Sequence, residues 1–161
     1  WNAVRAHGYT RIGLALHGPI DRFINHGWTE AYASLTQDDE AAIEPIPPFV
    51  DHNGPGPEFE VWLDAFKPQT VIVCQDRFYE RIRAWCKRSG NRVTIIDLNA
   101  RTGSESGRVG IDQQLEAVGR TAVDMLATQL FLNSLGPQKP PRTTLIEGEW
   151  AGALPPEASR R

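Results

Sequence analysis

"PQTVIVCQDRFYERIRAWCKRSGNRVTIIDL", residues 68 to 98, decides the fold class. "TVIVC" (70 to 74) is an unbroken apolar run, the pattern of a parallel strand buried on both faces. "RFYERIRAWCKRSG" (77 to 90) follows, with Phe78, Ile82 and Trp85 or Cys86 on one helical side and Gly90 as the stop. "RVTIIDL" (92 to 98) is a second strand. Strand, helix and strand in that order make a right-handed crossover between parallel strands.

Working outward, the same rhythm repeats. "RIGLAL" (11 to 16) reads as a strand, the turn "HGP" follows, and a helix from about 21 to 35 carries Phe23, Trp28, Ala31, Tyr32 and Leu35 on one stripe. "AIEPIPPFV" (42 to 50) is strand-like, but Pro45, Pro47 and Pro48 cannot donate to a ladder, so it belongs at a sheet edge. After the loop "DHNGPGPE", a helix of about 57 to 66 presents Phe59, Trp62, Leu63 and Phe66. Downstream of residue 98 come the loop "NARTGSESGR", a short extended piece at Gly110-Ile111-Asp112, and a helix over 114 to 131 with Leu115, Val118, Ala122, Met125, Leu126 and Leu130 at three- and four-residue steps. A turn, "NSLGPQKPPR", leads to a last strand, "TTLIEGEW" (143 to 150), and residues 151 to 161 read as a flexible tail. The expectation is an α/β fold: an open, mostly parallel sheet with helices on both faces. No internal repeat is present.

The opening "WNAVRAHGY" looks like the end of a helix closed by Gly8, and Met125 is the only methionine, so the 161 residues read as a fragment. An apolar content of 40% fits one globular unit, and no stretch approaches the ~20 apolar residues of a membrane span, which points to a soluble protein. A net charge of -3 argues against this segment gripping nucleic acid. Cys74 and Cys86 lack metal-ligand spacing and read as reduced, buried thiols of a cytosolic protein.

Catalytic chemistry is poorly supported. No nucleophile stands beside a base, His7, His17, His26 and His52 are scattered singly, and neither GxGxxG nor GxxxxGK[ST] occurs. No cofactor and no metal site is implied. Polar or aromatic residues do recur at strand carboxyl ends: His17, Phe49, Gln75 with Asp76, and Asn99. Ligands of open α/β sheets bind at that edge. Amides and carboxylates there can match hydroxyl groups, and Phe49 can cover the apolar face of a sugar ring. The alternative reading is that they are turn and cap residues, Asp21 and Asp76 fitting N-cap positions.

The order of "AHGYTRIGLAL", "NHGWTEAY", "PQTVIVCQDRFYERIRAW", "VTIIDLN", "GIDQQLEAVGRTAVDML" and "TTLIEGEW" resembles the effector-binding core of the lactose/galactose repressor (LacI/GalR) family of bacterial transcription regulators. The resemblance spans about residues 3 to 150. It implies a periplasmic-binding-protein-like fold of two α/β subdomains with ligand in the cleft between them, this chain being the second subdomain. It implies further that the 114 to 131 helix packs on the first subdomain and that a helix-turn-helix head elsewhere contacts DNA. Carried over, the ligand contacts fall on Phe49, Gln75, Asn99 and Gln113, with Asp76 beside them. The family's effector-holding arginine is replaced by Ile24, with Arg22 and Asn25 nearby. The partners so implied are a carbohydrate-like effector, a second copy of the chain in a homodimer, and DNA through the head alone, in the cytoplasm and without a membrane. A periplasmic sugar-binding protein and a small α/β enzyme are the alternatives.

Overall fold

In the computed structural model, which describes residues 1–37, 43–103, 107–134, 136 and 139–155, the apolar runs pair into one sheet. The strands are β1 (Ile12–His17), β2 (Phe49–Asp51), β3 (Thr70–Val73), β4 (Thr94–Ala100), β5 (Val109–Asp112) and β6 (Glu149–Ala151). Their spatial order is β2-β1-β3-β4-β5-β6, all parallel except β6, which runs against β5. The helices are α1 (Asn2–Ala6), α2 (Gly18–Phe23), α3 (Gly27–Thr36), α4 (Pro57–Phe66), α5 (Asp76–Ser89) and α6 (Leu115–Phe131). The proline-rich segment does end on the edge strand β2, where its missing donors cost no ladder bonds.

Alternation along the strands divides the core in two. Ala15, Val71 and Val73 face α4 and α5, where Phe59, Leu63, Phe78 and Ile82 are fully buried. Ile12, Leu14, Leu16 and Ile96 face the other way, against Val4 of α1 and Tyr32 of α3. Each such side chain contributes ~1.5 to 3 kcal/mol by leaving water. The Tyr32 hydroxyl sits between the carbonyls of Ile12 (2.7 Å) and Ile46 (2.8 Å), and burial pushes its phenol up to about 12. This hydroxyl locks α3 to both β1 and the approach to β2.

Gly90 ends α5 in the left-handed conformation (φ 73°), as the sequence leads one to expect, and Gly8 (φ 86°) follows α1. At Gly110 a Cβ would drive into the backbone of Asp97, so only glycine lets β5 close on β4 at that register.

Five expectations need correction. The 21 to 35 helix is two helices, broken where Asn25 (φ 55°) and His26 (φ 60°) turn left-handed. Asp21 is not an N-cap: it lies inside α2, buried, and its carboxylate accepts from the Thr29 amide (3.3 Å), the Thr29 hydroxyl (2.8 Å) and His26 Nδ1 (3.0 Å), capping α3 from a distance. Burial opposes its charge, but these hydrogen bonds outweigh that and hold its carboxyl below the usual range. The last strand is three residues long instead of 143 to 150. β5 offers only Gly110 to Asp112 for pairing, and Leu145 is 88% exposed. Ala151, placed in the tail, is buried in β6, while residues 156 to 161 lie outside the described residues. Both thiols are free, yet half-buried instead of buried.

α6 departs from the rest. It covers the predicted span, but none of its residues is buried, and Leu115, Leu126 and Leu130 are each more than half exposed.

Candidate functional site

The chain steps from β1 outward to β2, returns across β1 to β3, and then moves on to β4 and β5. Connections therefore diverge between β1 and β3, and at such a reversal the loops leaving the strand carboxyl ends part to form a crevice. His17 and Gly18 leave β1 there, and Cys74 and Gln75 leave β3.

Gln75 is the N-cap residue of α5 in extended conformation, and Asp76 is the first helical residue, so the N-cap role expected of Asp76 falls to its neighbour. The Gln75 side chain makes no capping bond. Both its amide oxygen and its amide nitrogen are enclosed, and neither finds a hydrogen-bond partner among the described residues. An enclosed amide without a partner costs ~1 to 3 kcal/mol, a penalty retained where the group serves a ligand.

Across β4, Asn99 and Gln113 come together on a depression of about 340 Å³ that Asp112 and Gln114 also line. Gln113 Nε2 donates to the Leu98 carbonyl (2.8 Å), leaving its amide oxygen for other partners. Amides of Thr102 (2.7 Å) and Gln114 (2.8 Å) donate to the Asp112 carboxylate and hold its carboxyl below the usual range. That carboxylate fixes the loop after β4 to the start of α6.

Gln75, Asp76, Asn99 and Gln113 thus stand on one edge of the sheet, since the three strands that present them, β3, β4 and β5, are parallel. Phe49 is level with Ala15, which is level with Val73, two residues short of Gln75. Its half-buried ring is engaged with Phe59 (4.8 Å), Trp62 (6.1 Å) and Phe78 (6.3 Å), a position in the core's aromatic cluster. Asn25 lies in the left-handed turn after α2 and makes no side-chain hydrogen bond among the described residues. His17 is occupied: its Nδ1 donates to the Asp51 carbonyl (3.1 Å) and ties β1 to β2.

Sequence reading missed Arg108 and Asp97. Asp97, 1% exposed, points to the α5 side of β4, where Arg108 Nη1 donates to it (2.9 Å). The same guanidinium pairs with Asp76, approaches Glu80 (3.6 Å) and lies 4.2 Å from the Tyr79 ring centroid. The other Asp97 oxygen accepts from the Asn99 amide (2.9 Å), so Arg108 holds Asp97 and Asp97 holds the backbone that presents Asn99. One signal was available: a carboxylate inside the apolar run "VTIIDL" has to be paired if that strand is buried. Its partner, 11 residues on, follows no periodicity. Among the described residues no three His, Cys, Asp or Glu side chains gather as a metal site, and no helix is long and apolar enough to cross a membrane.

No family model and no curated protein matches this chain. A solved structure does: that of the transcription regulator CcpA of Lactococcus lactis, with a TM-score of 0.60 and 15% identity, covering 94% of this chain and 57% of that one. The chain therefore spans a little over half the length of the protein it matches. What this likeness shows is the fold alone, an α/β layer with one six-stranded, mostly parallel sheet.

Proposed function

We propose that this chain is the effector-binding lobe of a LacI-type transcriptional regulator, taking a small, carbohydrate-like molecule at the carboxyl edge of its sheet. The observation that carries this reading is the enclosed, unpartnered Gln75 amide at the reversal between β1 and β3, on the same edge as Asn99 and Gln113. Amides donate and accept at once, as hydroxylated ligands require. The likeness to a transcription regulator supports this reading.

In this reading a second lobe closes over the ligand and packs on the apolar stripe of α6. Closure shifts the orientation of paired helix-turn-helix heads, which alone contact DNA. The protein works in the cytoplasm as a homodimer, without catalysis. Ile24 stands at the position of the family's effector-holding arginine, with Arg22 and Asn25 nearby, so in this reading the amide side chains of Gln75, Asn99 and Gln113 supply the polar contacts.

Amide NMR of the chain, titrated with a panel of neutral monosaccharides, tests the site. Saturable shifts at Gln75, Asp76, Asn99 and Gln113, lost in Gln75→Ala, are expected. A single lobe offers half the contacts, so affinity lies in the millimolar range, about -4 kcal/mol. Shifts confined to other surfaces, or none for any sugar, would refute the assignment.

A further inference from the structure

A second cavity lies at the opposite edge of the sheet. It holds about 500 Å³ at the amino ends of β4 and β5, within the range of small-molecule sites. Tyr79, Arg83 and Cys86, spaced along one side of α5, form a wall, and Val93 and Ile95, on the same face of the sheet, form an apolar floor. Arg92 and Asn91 close the end.

Its charge is distinctive in a chain of net charge -3. Residues 81 to 92 carry Arg81, Arg83, Lys87, Arg88 and Arg92 and no acidic residue. Arg81 and Arg88 share Glu60 as their ion-pair partner, each at 2.6 Å. Arg83 and Arg92, the two that line the cavity, pair with no carboxylate among the described residues. Two guanidinium groups with no carboxylate partner among the described residues, above an apolar floor, suit an anion attached to a flat apolar body. Guanidinium forks match phosphate oxygens in particular.

We propose that this amino-edge cavity is a second ligand site, for a small phosphomonoester whose phosphate is held by Arg83 and Arg92 and whose body lies on Val93 and Ile95. It is separate from the carboxyl-edge crevice and does not depend on it.

The two thiols report on the two edges. Cys86 lines the cavity, whereas Cys74 precedes Gln75 at the other end of the sheet. Alkylation of the whole chain by iodoacetamide is followed at each thiol with phenyl phosphate as probe. Near-saturating probe should slow Cys86 about tenfold, as mass action gives when ligand is roughly nine times its dissociation constant. Cys74 should be unaffected, and inorganic phosphate should protect more weakly. Arg83→Met with Arg92→Met should abolish the protection without moving the thermal midpoint. No protection of Cys86, equal protection of both thiols, or protection that survives the double substitution would overturn the proposal. A neutral sugar that shields Cys74 alone belongs to the crevice, so the two sites succeed or fail separately.

Discussion

α5 and α6 are written in the same alphabet, each with apolar residues every three or four positions, yet the structure treats them oppositely. Phe78, Ile82 and Trp85 of α5 are 4% exposed or less, pressed on β3 and the aromatic rings of α4. α6 buries nothing: Leu115, Val118, Met125, Leu126 and Leu130 range from 38% to 61% exposed. A helical stripe states that something must be covered, not what covers it. For α5 the cover is the sheet that the flanking strands build. For α6 the chain leaves β5 at the carboxyl edge and finds no sheet face to return to.

The contrast is broken most severely in α5. Phe78→Ala opens a cavity in the fully buried cluster and should cost ~3 to 5 kcal/mol in urea unfolding. Leu126→Ala should stay within ~0.5 kcal/mol, the range of surface substitutions. A comparable loss in both would mean that α6 is core after all.

Arg108→Met comes next, because it strands a nearly fully buried Asp97 carboxylate. Removing one partner of a buried pair costs ~3 to 5 kcal/mol, and the partial exposure of Arg108 places the expected loss at the low end. Adding Asp97→Asn should restore most of it by removing the uncompensated charge. An unchanged unfolding midpoint in the single variant would show that the pair holds nothing together.

A smaller effect attaches to Asp21. Its carboxyl is depressed in the folded state, so it contributes stability above the unfolded carboxylate range, ~3.9, and that contribution is lost as pH falls through the lower folded value. Asp21→Asn should therefore be less stable than the parent at pH 7, with the gap closing on acidification. A gap that widens toward low pH would reverse the sign of the argument.

The sheet was legible because buried parallel strands leave continuous apolar runs that nothing else in a sequence of this length imitates. Gly90 marked its helix end for the same local reason. The break at Asn25 and His26 was marked only by the Gly27 that follows it, and the stripe from Phe23 to Leu35 ran straight across it; the stabilising carboxylate comes from Asp21, in the preceding helix. β6 was overdrawn because a run of strand-prone residues says nothing about the length of its neighbour. Of the site, the edge was readable from strand order, and Gln75, Asn99 and Gln113 fall there. The Phe49 ring could not be assigned between ligand and core without knowing that Phe59, Trp62 and Phe78 meet it.

The central claim is that α6 is a docking helix, held out by a lobe that needs a covering for it. Its exposed apolar side chains sum to roughly 700 Å² or more, close to the ~800 Å² per partner of a standard interface. Sedimentation velocity of the 161-residue chain at micromolar concentration tests this directly. A two-fold dimer of twice the 17.9 kDa chain mass is expected, converted by Leu126→Asp to a monomer that keeps its far-UV circular dichroism while losing the stabilisation that association adds. A clean 17.9 kDa monomer, with mass and solubility indifferent to Leu126→Asp, would contradict it.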